Sequence, residues 1–195
     1  MTSEGGYRPP GRLRVAYQGE PGAFSEVAIA QLWGRAGDGV SRHDFPDVVR
    51  AVVDGAADAG VLPVWNAVVG RIASSVAALR ETRALAVVGE TEVAVRLQLL
   101  ALPGVPASVL CRVASHPVAL GQCGRYLARH PGLAPVLAHD TAGAARAVAE
   151  SGDPRSAAIA GPAAAERYGL VVLADRIADR SDNRTRFVAV VRRTG

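Results

Sequence analysis

The spacing of apolar side chains along the chain predicts alternating strands and helices. In residues 45–53 the apolar positions fall at i, i+3, i+4, i+7 and i+8, which is the spacing of one helix face. Pro46 stands in the first predicted turn and Gly55 follows the last one, as is typical of helix ends. Residues 13–17, by contrast, form a short apolar run before a glycine-containing loop, and this run predicts a strand.

The alternation continues to the end of the sequence. The predicted strands are residues 13–17, 59–62, 91–102, 109–114, 136–138, 157–160, 170–173 and 186–191. The predicted helices are residues 25–33, 45–53, 72–79, 117–129, 142–150 and 162–168. Strands that alternate with helices indicate an α/β protein with largely parallel sheets. We expect the chain to pass into a second lobe at the long predicted strand 91–102.

The composition is that of a folded domain. The 195 residues are 49% hydrophobic and 21% charged, which is enough apolar material for one large domain or two small lobes. The first dozen residues are polar and contain glycine and proline, so we expect a disordered tail at residues 1–12. No apolar stretch is long enough for a secretory signal or a membrane span. We therefore expect a cytoplasmic protein that binds no membrane.

The charged residues, cysteines and histidines indicate neither a nucleic-acid-binding protein nor a metalloprotein. The net charge is +4, but all 22 basic residues are arginines spread along the chain, which is typical of a solvated surface and predicts no nucleic-acid binding. Cys111 and Cys123 form no CxxC pair, and the four histidines lack metal-ligand spacing. We expect reduced thiols and no metal.

Four polar clusters stand at predicted ends of strands, where α/β sheets bind ligands. Each cluster also has a structural interpretation, as a turn, a helix cap or the polar edge of a strand. The clusters are the glycine-containing loop 19–25 with Ser25, the triplet Ser115-His116-Pro117, the pair Asp140-Thr141, and residues 183–187 with Asn183 and Thr185.

Together these segments resemble the catalytic domain of prephenate dehydratases and the related arogenate dehydratases, in content, order and spacing. The resemblance extends from Val15 to Val190, and its last motif is the most specific one. The matching segments are residues 15–26 (VAYQGEPGAFSE), Ser115-His116-Pro117, Gln122-Cys123, and Asn183 with Thr185-Arg186-Phe187.

The resemblance implies an architecture. The family has two α/β lobes of periplasmic-binding-protein-like (type II) topology, with the last strand returning to the first lobe and a cleft between the lobes. We therefore expect lobe 1 at residues 13–90 and 177–193, and lobe 2 at residues 91–176. The family norm implies a homodimer or a higher homo-oligomer. Only eight residues follow Phe187, so we expect no regulatory ACT domain and no feedback through one.

The resemblance also implies a lyase that converts prephenate to phenylpyruvate, water and carbon dioxide in L-phenylalanine biosynthesis. This reaction needs hydrogen-bond donors and anion-binding groups, and no metal, nucleophile or cofactor. The implied catalytic residue is Thr185, whose hydroxyl donates a hydrogen bond to the leaving group. The implied substrate-binding residues are Ser25, Asn66, Ser115, Gln122, Thr141, Asn183, Arg186 and Phe187. Because side chains alternate along a strand, Arg186 should lie on a different face from Thr185.

The sequence departs from the family pattern beside Asn66. The family usually shows Glu-Asn-Ser, whereas this chain has Trp65-Asn66-Ala67, and an indole cannot replace a carboxylate in proton transfer. Val118 and His139 also differ from usual family residues. These differences leave three alternatives open: an arogenate dehydratase, a prephenate decarboxylase-like enzyme that forms no aromatic ring, and a ligand-binding homologue without activity.

Overall fold

The computed structural model describes residues 11–193, and these residues form two compact units. Unit 1 contains the described residues up to Gly19, residues 24–94 and the residues from Asn183 onward, whereas unit 2 contains residues 20–23 and 95–182. The lobe boundaries predicted from the sequence, after residues 90 and 176, lie a few residues before these transitions. The predicted tail at residues 1–12 lies almost entirely outside the described residues.

The described elements alternate as predicted. The strands are β1 (Leu13–Gln18), β2 (Gly37–Arg42), β3 (Ala59–Asn66), β4 (Gly70–Arg71), β5 (Leu85–Ala94), β6 (Gln98–Ala101), β7 (Arg112–Ser115), β8 (Ala134–Leu137), β9 (Ser156–Ala160), β10 (Val171–Ala174) and β11 (Arg184–Arg192). The helices are α1 (Phe24–Trp33), α2 (Phe45–Val53), α3 (Ala73–Arg80), α4 (Pro117–Gln122), α5 (Gly124–Ala128), α6 (Thr141–Ser151) and α7 (Pro162–Tyr168). Short 3₁₀ turns lie at Gly34–Ala36 and Ala107–Val109.

The sheet of unit 1 has the strand order β2-β1-β3-β11-β5, and β4 pairs with β3. The strand β1 is parallel to both β2 and β3, whereas β11 is antiparallel to β3 and β5. The last strand of the chain is therefore an interior strand of the first sheet. Its start, which carries the most specific motif of the sequence, lies between the ends of β3 and β5.

The sheet of unit 2 has the order β10-β6-β9-β7-β8. In it β7 is parallel to β8 and β9, and β6 is antiparallel to β9 and β10. Both sheets are thus mixed, and the prediction of largely parallel sheets is wrong. The strands β6 and β11 each follow the passage of the chain into a new unit, so no βαβ crossover sets their direction. The predicted α/β class with two lobes is confirmed by the two sheets and the two units, and the cleft stays a prediction.

The core of unit 1 forms around α2. The Asp44 side chain accepts a hydrogen bond of 2.7 Å from Asp47 N and so begins the helix, as the polar residue before an apolar spacing predicts. The buried face carries Val48 and Val52, which pack against Leu62 of β3 and other sheet residues. Burial of each such valine or leucine side chain contributes about 1.5–3 kcal/mol.

The core of unit 2 consists largely of small side chains. The buried alanines of α6 and α7 pack with Leu100 and with alanines of β9, so helix and sheet backbones approach closely. Both helices end at a glycine in the left-handed region, Gly152 with φ 62° and Gly169 with φ 65°. The alanine richness of the sequence is therefore a packing feature of this unit.

Two predicted elements need correction, and one strand was not predicted. The long strand predicted at 91–102 is two strands, β5 and β6, because the chain passes between units at residues 94 and 95. The helix predicted at 117–129 breaks at Cys123, whose backbone (φ −111°, ψ 22°) is not helical. The strand β2 was missed, because this edge strand has no buried residue and shows no apolar alternation. No helix within residues 11–193 is long and apolar enough to cross a membrane.

Candidate functional site

The side-chain amide of Asn66 connects the end of β3 to the start of β11. Its Nδ2 donates to Asn183 Oδ1 at 2.8 Å, to Thr185 Oγ1 at 2.9 Å and to the Arg184 carbonyl oxygen at 3.1 Å. Its Oδ1 accepts from the backbone N–H groups of residues 68 and 69. Because those two groups can only donate, they fix the amide with its nitrogen toward Thr185.

Asn66, Asn183 and Thr185 are buried, with 6%, 3% and 8% of their surfaces exposed. Within residues 11–193 the Thr185 hydroxyl oxygen has one hydrogen-bonding partner, the Asn66 amide, from which it accepts. A hydroxyl group that accepts from an amide keeps its own proton for another acceptor. The hydrogen bond between Asn66 and Thr185 therefore does not use the Thr185 proton.

The register of the sheet brings these residues together. Thr185 lies directly opposite Asn66 on β3 and opposite Val93 on β5. The backbone continues this contact, because Ala67 N donates to the Arg184 carbonyl at 2.9 Å. Thr185 is thus held by strands on both sides of β11, which favours a precise position of its hydroxyl.

The two faces of β11 differ sharply at this point. Thr185 and Phe187 are buried, whereas Arg184 and Arg186 are exposed. Arg186 pairs with Trp65 of β3, and directly paired residues share a face of the sheet. Trp65 is 37% exposed, so the indole that departs from the family pattern lies on the face opposite to the Thr185 hydroxyl. The role predicted for Arg186 as a substrate contact stays a prediction.

Two other predicted residues of unit 1 are also buried. Ser25 lies in the first turn of α1, and Phe187 is 2% exposed within β11. Burial of both side chains is compatible with a structural role as well as with a ligand contact, and their contact with substrate stays a prediction.

The residues predicted in unit 2 stand at ends of strands and helices. Ser115 ends β7 and is fully buried, and its hydroxyl donates to the Ile159 carbonyl at 2.6 Å, which ties β7 to β9. Gln122 ends α4, and its carbonyl oxygen accepts from Asp179 N at 2.7 Å. Thr141 is the first residue of α6 and is half-buried. Their predicted contacts with substrate stay predictions.

Two of the polar clusters act as helix caps, as their structural interpretation predicted. His116 Nδ1 accepts from Val118 N at 3.2 Å before α4, and Asp140 Oδ1 accepts from Gly143 N at 2.7 Å before α6. Desolvation lowers the pKa of His116, and the nearby His139 lowers it further against an opposing effect of Asp140. The neutral ring is the form that accepts the hydrogen bond from Val118 N.

The loop between β1 and α1 has contacts that the sequence did not reveal. Within unit 2, Glu20 pairs with Arg146 of α6 at 3.2 Å, and the Tyr168 hydroxyl donates to the Pro21 carbonyl at 2.7 Å. Gly22 has φ 90°, and a Cβ at this position would lie 2.9 Å from Ala164 Cα. The loop therefore requires glycine at this position for its backbone angle and its close packing on α7.

The side chains whose spacing could hold a metal ion lie elsewhere in unit 1. Among residues 11–193, one group has suitable spacing, His43 with Asp44 and Asp47 at the start of α2. Asp44 already caps the helix and Asp47 pairs with Arg50, so both carboxylates have protein partners. Around Thr185, by contrast, the hydrogen-bonding groups are amides, a hydroxyl and a backbone carbonyl. Such neutral groups suit recognition of an oxygen-bearing organic molecule.

Known proteins are similar in sequence to this chain over nearly its whole length. Arogenate dehydratase 1 of Petunia hybrida is 42% identical over 181 residues, which are 92% of this chain and 42% of that protein. A bifunctional N-acyl-homoserine lactone acylase/prephenate dehydratase of Komagataeibacter europaeus is 38% identical over 184 residues, which are 94% of this chain and 64% of that protein. The chain thus spans less than half the length of the plant relative.

The fold is shared as well. The structure of prephenate dehydratase from Arthrobacter aurescens, solved in complex with L-Phe, matches with a TM-score of 0.85 and 31% identity. The match covers 93% of this chain and 61% of that one. The sequence profile of the family described as prephenate dehydratase matches residues 15–194. This chain belongs to the prephenate dehydratase family.

Proposed function

We propose that this chain catalyses the decarboxylating dehydration of prephenate to phenylpyruvate, with Thr185 as the catalytic residue. The observation that carries the proposal is the Asn66 amide, which donates to the Thr185 hydroxyl at 2.9 Å and leaves the hydroxyl proton available. The chain spans only part of its plant relatives, so its activity as a separate protein is part of the proposal.

The chemistry explains why a buried donor is needed. In prephenate, the bond between the ring and its carboxylate breaks, and this electron pair moves through the ring as the carbon–oxygen bond at the opposite ring carbon breaks. Carbon dioxide leaves, and the oxygen leaves as water after it gains one proton. Negative charge develops on the departing oxygen, and a donor placed there stabilises the transition state more than the substrate.

Thr185 supplies this donor without a charged group. An alcohol is a weak acid, so its hydrogen bond assists the departing oxygen and the proton comes ultimately from water. The Asn66 amide polarises the hydroxyl by donating to its oxygen, which makes the hydroxyl a better donor. A positioned donor of this kind accounts for roughly 10²- to 10⁴-fold in rate.

The same geometry gives less support to acyl transfer. A threonine nucleophile needs a base within hydrogen-bonding distance to take its proton. Within residues 11–193, the Thr185 oxygen contacts the Asn66 Nδ2 donor, and an amide nitrogen cannot accept a proton. The lactone acylase named in the Komagataeibacter relative is therefore not the activity that this hydroxyl favours.

Arogenate is the second candidate substrate. It carries the same ring carboxylate and ring hydroxyl as prephenate and differs in its side chain, which bears an amino group in place of the keto oxygen. The Petunia relative is named an arogenate dehydratase, and this similarity favours a test of both compounds. The proposed chemistry at Thr185 is identical for the two substrates.

Further parts of the proposal follow from the family resemblance. Ser25, Asn183, Phe187 and Arg186 from unit 1, and Ser115, Gln122 and Thr141 from unit 2, are proposed substrate contacts. The proposed setting is the cytoplasm, and the proposed assembly is a homodimer or larger.

The proposal is tested by supplying purified protein with prephenate and, separately, arogenate at pH 7.5. Phenylpyruvate is read from its absorbance in alkali and phenylalanine by chromatography, with the non-enzymatic rate subtracted from a buffer control. Enzyme-dependent formation of either product supports the proposal. Consumption of prephenate to a non-aromatic product supports a decarboxylase instead, and absence of turnover with calorimetric binding of prephenate supports a ligand-binding protein.

A further inference from the structure

A pocket of about 400 Å³ lies within unit 2 and uses none of the residues predicted for catalysis or substrate binding. One wall is the segment Arg125–Arg129, which contains all of α5 except its first residue. The other wall is the segment 174–179, which begins at the last residue of β10. A volume of this size is within the range of sites that bind small molecules.

Three arginines line the pocket, and two of them have free side chains. Arg125 and Arg129 are four positions apart, so their side chains lie on one side of the helical turn. Neither guanidinium has a hydrogen bond or ion pair with any residue of the described part of the chain. The third, Arg176, approaches a carboxylate of Asp175 only at 3.8 Å. These cations are available to a ligand.

The two carboxylates of the pocket are already engaged by the protein. Asp175 accepts from Arg96 Nε at 2.6 Å and from Gln98 Nε2 at 2.8 Å, and the hydrogen bond from Arg96 is the main reason why its pKa is lowered. Asp179 accepts from Arg125 N at 3.0 Å. Asp175 is therefore paired with a cation outside the pocket, Arg96, and Asp179 alone remains to offset the charge of the three arginines that line the pocket.

The apolar part of the pocket is held in place. The ring of Tyr126 stacks on His130, with ring centres 4.2 Å apart, and His130 Nδ1 lies 2.8 Å from the Tyr126 carbonyl oxygen. Ile177 is 7% exposed, and its N–H donates to the Leu97 carbonyl at 3.0 Å. The pocket therefore has one rigid aromatic wall and one buried aliphatic wall next to its cations.

The backbone of the pocket contains a conformation that side chains seldom adopt. Arg176 has φ 50°, and it is the single non-glycine residue with positive φ among residues 11–193. Its N–H donates to Asp175 Oδ1 at 2.8 Å, which holds the turn. Such a conformation is strained at a bulky residue, and conformations of this kind concentrate at ligand-binding segments. Here it places the Arg176 side chain along the pocket.

We propose that this pocket binds a small organic anion, with its carboxylate between the guanidinium groups of Arg125 and Arg129 and its apolar part against Tyr126 and Ile177. Guanidinium groups bind carboxylates through paired, charge-assisted hydrogen bonds, and the flat ring of Tyr126 suits a planar ligand. This inference does not depend on the proposed catalytic function, because no residue of the Thr185 cluster takes part.

The test is an NMR titration of the full chain, labelled with ¹⁵N, at constant ionic strength. The probes are benzoate, the neutral analogue benzamide, and inorganic phosphate. Benzoate is expected to shift the amide signals of residues 124–130 and 174–179 in a saturable manner, with benzamide at least tenfold weaker. Reading the signals residue by residue separates this pocket from binding near Thr185, so failure of the catalytic proposal leaves the result interpretable.

Two double variants complete the test. Arg125→Gln with Arg129→Gln is expected to weaken benzoate binding by roughly tenfold or more, because two charged donors are lost. Arg155→Gln with Arg167→Gln makes the same change in charge at two exposed arginines of unit 2 outside the pocket and is expected to bind as wild type. Equal binding by both double variants, or no saturable shift in these segments, overturns the proposal. Phosphate shifts as strong as those of benzoate overturn its apolar part.

Discussion

The Asn66 side-chain nitrogen donates to the Thr185 hydroxyl oxygen across neighbouring antiparallel strands, at 2.9 Å. Asn66 is itself held by two backbone N–H groups on its oxygen, so the donor cannot rotate away without losing them. In this arrangement the Thr185 oxygen accepts a hydrogen bond from the protein, and its proton stays available to another acceptor, which we propose is the substrate. Each prediction on the site follows from that direction of hydrogen bonding.

Replacing the amide nitrogen of Asn66 with an oxygen should reverse that direction. In Asn66→Asp, the carboxylate keeps the acceptor for residues 68 and 69 but draws the Thr185 proton toward itself. We expect kcat for prephenate to fall by roughly 100-fold, as for loss of a positioned donor. Thermal unfolding of the variant serves as the control for folding, because a carboxylate buried here also costs stability. A variant with wild-type kcat would show that the amide does not orient the hydroxyl.

Trp65 should have little influence on turnover, although it stands where the family usually has glutamate. Its side chain lies on the exposed face of β3, whereas Asn66 and Thr185 lie on the buried face. We expect kcat for Trp65→Ala and for Trp65→Glu to stay within roughly threefold of wild type, because neither change touches the donor. A 100-fold change in kcat for either variant would place this position in the chemistry and contradict the assignment of faces.

Gly22 should be intolerant of a side chain for two reasons, its positive φ and its contact with Ala164. Gly104 provides a matched control, because it has a similar φ of 78° and no atom within 4 Å of a built Cβ. We expect Gly104→Ala to lower the free energy of unfolding by about 1 kcal/mol and Gly22→Ala by about 2–4 kcal/mol. Urea denaturation measures both values. An equal loss of unfolding free energy in the two variants would mean that the packing of this loop on α7 contributes nothing to stability.

The pH dependence of stability should contain a contribution from His116. Burial lowers the pKa of His116 in the folded protein, so the unfolded chain binds more protons as the pH falls through about 6.5. Its contribution to stability is therefore complete above that pH and is lost toward acid. We expect the fall in unfolding free energy between pH 7.5 and pH 5.5 to be smaller for His116→Asn, since asparagine can cap α4 without titrating. An identical fall in unfolding free energy in wild type and His116→Asn would show that His116 does not contribute to the pH dependence.

Local sequence patterns were sufficient to predict features that depend on residues close together in the chain. The spacing of valines with Pro46 and Gly55 predicted α2. The alternation of side chains along a strand also correctly assigned Arg186 and Thr185 to opposite faces of β11. In each case the information lies within about ten residues of the chain.

The remaining features depend on contacts between distant parts of the chain. Asn66 and Thr185 are 119 positions apart, and only the register of β3 with β11 shows that one donates to the other. Glu20 pairs with Arg146, and no local pattern links the loop between β1 and α1 to α6. The break between β5 and β6 was likewise hidden, because Val95 and Leu97 continue the apolar alternation while the chain changes units.

The most direct test of the central claim compares the rate of phenylpyruvate formation from prephenate in wild type, Thr185→Val and Thr185→Ser. Valine keeps the shape of threonine and removes the donor, whereas serine keeps the donor and removes one methyl group. We predict that Thr185→Val lowers kcat by roughly 10²- to 10⁴-fold with an intact fold, and that Thr185→Ser stays within roughly tenfold of wild type. A Thr185→Val protein that forms phenylpyruvate at the wild-type rate would contradict the account.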